Sequence, residues 1–143
     1  MKLSTKSRYG LRILLQLAET SGSGNTIKGK ELVAEQGITE PYMEQIMIKL
    51  KEAGYVRTER GCNGGYLLDV SPDRITILDI IELFEGPVEF VNCNEKDKQC
   101  ERMPICRTSK TWKTLSDVFK REASAITLTG IIEMNKTNPE YVI

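Results

Sequence analysis

The chain has 143 residues, 40% of them apolar and 28% charged, with twenty basic side chains against twenty acidic ones. That is enough for one compact domain with an appendage, and a formal charge of zero means that bulk charge announces no nucleic-acid partner. The sequence holds no histidine, which removes the usual general base, the usual zinc partner of cysteine and the usual physiological pH switch.

No apolar run is long enough to span a bilayer, and the start Met1-Lys2-Leu3-Ser4 lacks a signal-peptide core. The expectation is a cytoplasmic chain with no membrane partner, in which four cysteines serve as ligands or free thiols rather than as a disulfide framework. Residues 1–60 carry ten Lys/Arg against seven Asp/Glu, so the small basic excess lies at the front.

Ser4 or Thr5 can cap a first helix running to about Thr20, with Tyr9, Ile13, Leu14, Leu17 and Ala18 as its apolar stripe. Lys2, Lys6, Arg8 and Arg12 cluster near its start, where cations oppose the helix dipole. They read either as solvated side chains or as phosphate contacts. Ser21–Asn25 is a flexible loop, and a short helix over Lys28–Gln36 stops at Gly37. Thr39-Glu40-Pro41 then supplies a cap, a first-turn anion and a tolerated proline for a third helix to about Ala53, with Met43, Ile46, Met47 and Leu50 inward. Two helices joined by a tight turn at Gly37-Ile38 form a helix-turn-helix.

A strand over Tyr55–Thr58, a glycine-rich tip over Arg60–Gly65 and a return strand over Tyr66–Leu68 make a two-stranded wing. Thr76-x-x-Asp79 opens a helix over Ile77–Glu85 in capping-box fashion, ended by Gly86-Pro87. After a polar loop, Trp112, Leu115, Val118, Phe119, Ala123 and Ile126 recur at helical spacing, and a short last helix covers Gly130–Asn135. The fold class expected is mainly α with a small β-wing: a winged helix-turn-helix domain (1–86), a cysteine-bearing loop (87–110) and a dimerisation helix with tail (111–143).

On the solvent side of the third helix, Glu44, Gln45 and Lys49 are placed to reach base edges or phosphates: glutamine pairs with adenine and glutamate accepts from the cytosine amino group. At the wing tip, Arg60 suits a narrow minor groove, and Gly61, Gly64 and Gly65 allow a tight turn and close approach. Cys62 in that tip reads as a small exposed residue. Cys93, Cys100 and Cys106 form a C-x6-C-x5-C array between two helices. Three widely spaced thiolates suit an iron–sulfur cluster better than a zinc knuckle with its tight cysteine pairs. A free-thiol loop, a thiol-oxidation switch and a zinc site completed by a carboxylate or water are the alternatives.

The segments L-S-T-K-S-R-Y-G-L, Y-M-E-Q-I, R-G-C-N-G-G-Y-L-L and the cysteine loop followed by T-W-K-T-L together resemble the IscR-type family of bacterial regulators, over residues 1 to about 135. That family includes a regulator of cluster assembly, a nitric-oxide sensor and a cysteine-metabolism repressor. The resemblance implies a homodimeric transcription factor on double-stranded promoter DNA, crossed through a long helix, with no enzymatic activity. It matches Cys93, Cys100 and Cys106 to cluster ligands, Glu44 and Gln45 to base contacts, and Arg60 to the minor-groove arginine. The family's fourth-ligand positions hold Ser109 and Arg8 here, which leaves Ser109, Glu44 and Glu101 as candidates for that place. A 2Fe–2S cluster is preferred to 4Fe–4S, and a protein partner for cluster delivery is a further expectation. The rival functions are a cluster-free repressor of cysteine or sulfur metabolism governed by a protein partner, and an electron-carrier or docking module.

Overall fold

In the computed structural model, which describes residues 2–91 and 100–137, the first helix, α1 (Thr5–Ser21), starts where Ser4 accepts the Ser7 amide at 3.2 Å. Its inward stripe of Ile13, Leu14, Leu17 and Ala18 is buried. Gly10 is required on this helix, since a Cβ there would sit 2.5 Å from the Phe84 ring.

Helix α2 (Gly29–Gln36) ends at Gly37, whose φ of 64° is left-handed and whose amide returns to the Val33 carbonyl. Helix α3 (Glu40–Glu52) follows with Pro41 in its first turn. Met43, Ile46, Met47 and Leu50 face inward, as the spacing predicts. Together α2 and α3 form the helix-turn-helix.

The wing pairs β1 (Val56–Glu59) with β2 (Gly65–Leu68), antiparallel, with Val56 opposite Leu68 and Glu59 opposite Gly65. Its first strand begins one residue later than expected, because the Tyr55 amide is taken by the Leu50 carbonyl at 3.0 Å. Ile27 adds a third run of backbone to the sheet by exchanging both hydrogen bonds with Tyr66, at 2.9 and 2.8 Å.

Helix α4 (Ile77–Glu85) carries the expected capping box: Thr76 accepts the Asp79 amide while the Asp79 carboxylate accepts the Thr76 amide at 2.8 Å. Beyond a 3-10 turn at Met103–Ile105 come α5 (Ser109–Ala125) and α6 (Leu128–Thr137). Ile126 does not extend the helical stripe. It is extended, and its carbonyl accepts the Ile77 amide at 2.9 Å, while the Leu128 amide reaches Ile75 at 3.0 Å. The last helix starts earlier than expected, with the Thr127 hydroxyl accepting the Gly130 amide. Leu128 lies fully buried in the same core as Ile13, Leu32, Ile46, Leu50, Ile75 and Ile80.

The expected fold class is the observed one, a mostly helical winged helix-turn-helix. Among the described residues no helix is long and apolar enough to cross a membrane.

Candidate nucleic-acid interface and cysteine segment

Glu44, Gln45 and Ile48 lie exposed on the outer face of α3, with Ile48 51% accessible. An isoleucine left in water on the outer face of a helix-turn-helix suits apolar contact with a thymine methyl. Reading the chain by periodicity passes over it, because an apolar residue beside a core stripe is assigned to the core. Lys49 behaves differently from its neighbours: it is half-buried, with its ammonium 3.5 Å from the Leu83 carbonyl and 5.8 Å from the Phe84 ring centroid.

At the wing, Arg60 is exposed at the start of the tip with no described carboxylate paired to it, and Gly61 turns the chain at φ 112°. The other two tip glycines answer an internal demand. A Cβ on Gly65 would lie 2.5 Å from the Ile27 carbonyl oxygen, and one on Gly64 would collide with the Glu59 carbonyl. The Thr26 hydroxyl donates to the Asn63 carbonyl at 2.7 Å, so the tip is tied to the chain entering α2. Cys62 is exposed here as a free thiol.

On the first helix Arg8 is exposed, its guanidinium 3.5 Å from the Thr5 hydroxyl, and Lys6 is half-buried. Lys28 and Lys30 flank the first residue of α2, both exposed, and share a hollow with Glu40, Glu44 and Tyr66. Cations at a helix start are not placed for helix stability. That signal, two lysines opening the first helix of the motif, was available in the sequence and marks both as candidate phosphate contacts.

Two of the three loop cysteines lie in described chain between α4 and α5. Cys93 falls outside the described residues. Cys100 is exposed, and Cys106 closes the 3-10 turn immediately before α5; both are free thiols. A hydrogen bond from the Thr108 hydroxyl, 3.4 Å from Sγ, is the main cause lowering the Cys106 thiol below its ordinary value, assisted by the Thr108 and Ser109 amides. The thiolate is the form that ligates metal.

Of the three candidates for a fourth ligand, Glu101 lines a hollow with Cys100, Met103 and Pro104. Ser109 donates to the Cys106 carbonyl at 3.1 Å. Glu44 lines the α2–α3 hollow, whose described lining includes no cysteine. Among the described residues no three cysteine or carboxylate side chains converge. The donor chemistry fits a cluster: accessible thiols, one already biased toward thiolate, with a carboxylate and a hydroxyl alongside.

The cysteine segment is framed by packed chain. Val88 is buried and its amide reaches the Glu82 carboxylate at 3.3 Å, while the Phe90 amide reaches Ser116 Oγ at 3.4 Å and its ring meets Phe119 edge-on. Helix α5 buries Ser116 and Ala123, but Trp112, Leu115 and Val118 remain 38–44% exposed on one face. Lone exposed apolar residues are ordinary; three at helical spacing on one helix form a face without a cover.

A model of the family described as Rrf2, iron-dependent transcriptional regulator, matches residues 3–134. The HTH-type transcriptional regulator CymR of Bacillus subtilis is 38% identical over 128 residues, 90% of this chain and 87% of that protein. The solved structure of CymR, the global cysteine regulator of B. subtilis, aligns with a TM-score of 0.75 at 34% identity, covering 94% of this chain and 98% of that one. The structure of T. potens IscR also aligns at 0.75, with 28% identity over 100% of this chain and 93% of that one.

Proposed function

The chain belongs to the Rrf2 family of transcriptional regulators, and on that premise we propose that its DNA affinity is set by an iron–sulfur cluster on Cys93, Cys100 and Cys106. It is a DNA-binding regulator and not an enzyme; the electron-carrier and docking readings give way to that membership. The finer reading is supported chiefly by one placement. Cys100 and Cys106 lie, exposed and half-exposed, on the chain leading into α5, after the winged domain and before the uncovered Trp112–Leu115–Val118 face in sequence.

In this reading two copies join through that α5 face, as paired winged heads reading paired half-sites require. Glu44, Gln45 and Ile48 face the major groove, Arg60 enters the minor groove, and Lys6, Arg8, Lys28 and Lys30 approach phosphates. The cluster, 2Fe–2S in preference to 4Fe–4S, supplies an inorganic link whose presence depends on iron, sulfide and oxidant. Cys106, its thiol lowered chiefly by the Thr108 hydroxyl, would be one of the donors. Glu101 and Ser109 compete for the fourth place, and a delivery protein is the expected source of the cluster. A ligand shifts the equilibrium between two dimer geometries only through its differential affinity for them.

Anaerobic reconstitution with ferrous iron and sulfide should give visible charge-transfer bands, lost in Cys93→Ala, Cys100→Ala and Cys106→Ala. Binding to a duplex selected from a random library should change by at least fivefold between filled and empty protein. Colourless protein with three intact thiols would end this reading. The second reading, a cluster-free regulator of cysteine metabolism answering to a protein partner, is favoured by the similarity to CymR. It predicts identical DNA binding with and without iron and sulfide.

A further inference from the structure

Leu83 sits in the last turn of α4, whose carbonyls have no donor within the helix. The chain leaves the helix at Gly86, with φ 87° and ψ −176°, so no later amide of α4 turns back to them. The Leu83 carbonyl is met instead by Lys49 of α3, its ammonium 3.5 Å away. The position is doubly favourable. A cation at a helix C-terminus meets the negative end of the dipole and can bond a terminal carbonyl, and the Phe84 ring lies beneath it at 5.8 Å.

The same turn grips α1. Phe84 lies where Gly10 leaves room, and the Glu85 carboxylate accepts from the Ser4 amide at 2.8 Å and from the Ser7 hydroxyl. Three consecutive residues, Leu83 to Glu85, thus hold both the first helix and the DNA-facing helix. Gly86, with a φ of 87°, leads directly from them into the chain that carries the cysteines.

We propose that Lys49 is a positioning residue and not a DNA contact. Its bond to Leu83 fixes the roll of α3 about its axis, so that Glu44, Gln45 and Ile48 face outward. The last turn of α4 is then the route by which a change between Pro87 and Cys106 reaches the recognition helix. This second half rests on the cluster reading above; the first half stands without it.

The test uses the full chain and a duplex selected from a random library by the wild-type protein, with a scrambled duplex as control. Lys49→Gln should bind the selected duplex about tenfold more weakly, as loss of a charge-assisted hydrogen bond implies. Its discrimination between the two duplexes should shrink, while the slope of log affinity against log salt stays at the wild-type value. Lys49→Arg should restore both affinity and discrimination.

A phosphate contact behaves otherwise: Lys49→Gln would weaken both duplexes alike and flatten the salt slope by about 0.9, and that result overturns the proposal. For the route, the ratio of affinities before and after reconstitution with ferrous iron and sulfide is compared in wild type and Lys49→Gln. A ratio that collapses toward one only in the variant supports it, and a ratio fully kept in the variant overturns it. A wild-type ratio of one defeats the cluster reading instead, leaving the lock to be judged by the salt slope.

Discussion

The Ser4 amide, at the threshold of the first helix, donates to the carboxylate of Glu85 at 2.8 Å across 81 positions of sequence. The Ser7 hydroxyl donates to the same oxygen, so one carboxylate serves the positive end of α1 from the last residue of α4.

This contact predicts an acid-sensitive joint. The Ser7 hydroxyl first, and Ser4 after it, hold the Glu85 carboxyl below the ordinary glutamate value of 4.5. A group whose folded value is depressed contributes stability above its unfolded value and loses it as pH falls through the folded one. Urea midpoints measured from neutrality downward should therefore fall more steeply below the ordinary glutamate range in wild type than in Glu85→Gln. Parallel acid limbs in the two proteins would remove Glu85 from the account.

The wing should be intolerant of a single methyl at its base. In Gly65→Ala the new Cβ meets the Ile27 carbonyl, which is backbone and cannot swing aside. The expected cost is roughly 1–3 kcal/mol of overpacking, read as a lower denaturation midpoint with unchanged slope. The cost should be shared by the Thr26–Asn63 tie, visible as faster hydrogen exchange at Ile27 and Tyr66. A stable variant with native exchange would show that the sheet yields there.

Thiol reactivity offers a check on the cysteine segment that needs no iron. Thr108 is the chief cause of the lowered Cys106 value, and only the thiolate attacks an alkylating reagent. Iodoacetamide near neutral pH should label Cys106 more slowly in Thr108→Val than in wild type, with peptide mass spectrometry following the single site. Equal rates would mean that the hydroxyl does not govern this thiol.

The uncovered face of α5 makes the assembly state testable by one charge. Leu115 is 44% exposed between Trp112 and Val118, and an aspartate there would be buried unpaired in a joined pair. Light scattering after size exclusion should find wild type at twice the chain mass and Leu115→Asp at one, with the same helical content by circular dichroism. A wild-type monomer at micromolar concentration would leave the face without this occupant.

Most of this architecture was readable because it is local. Capping residues, glycines past helix ends and apolar spacing located α1 to α4 within a residue or two, and Thr76 with Asp79 formed the box their spacing announces. What escaped depends on residues far apart in sequence. Lys49 looks like any outward lysine on α3, yet its ammonium is taken by the Leu83 carbonyl, 34 positions later. Gly64 and Gly65 look like freedom at a tip, yet Glu59 and Ile27 are what exclude a side chain there. Ile126 keeps the helical period, but its backbone is claimed by Ile77. Cys93 could be judged only as part of a spacing, as it lies outside the described residues.

The short extended stretch between α5 and α6 has a mechanical consequence. Ile126 and Leu128 stitch the far end of α5 to Ile77 and Ile75, while Phe90 steadies its middle through Ser116 and Phe119. Helix α5 is thus a strut fastened to the reading head at its far end and braced at its middle. Two such struts pressed together would pass torque straight into their heads, so a small rotation where they cross becomes a change in the spacing of what the heads can grip.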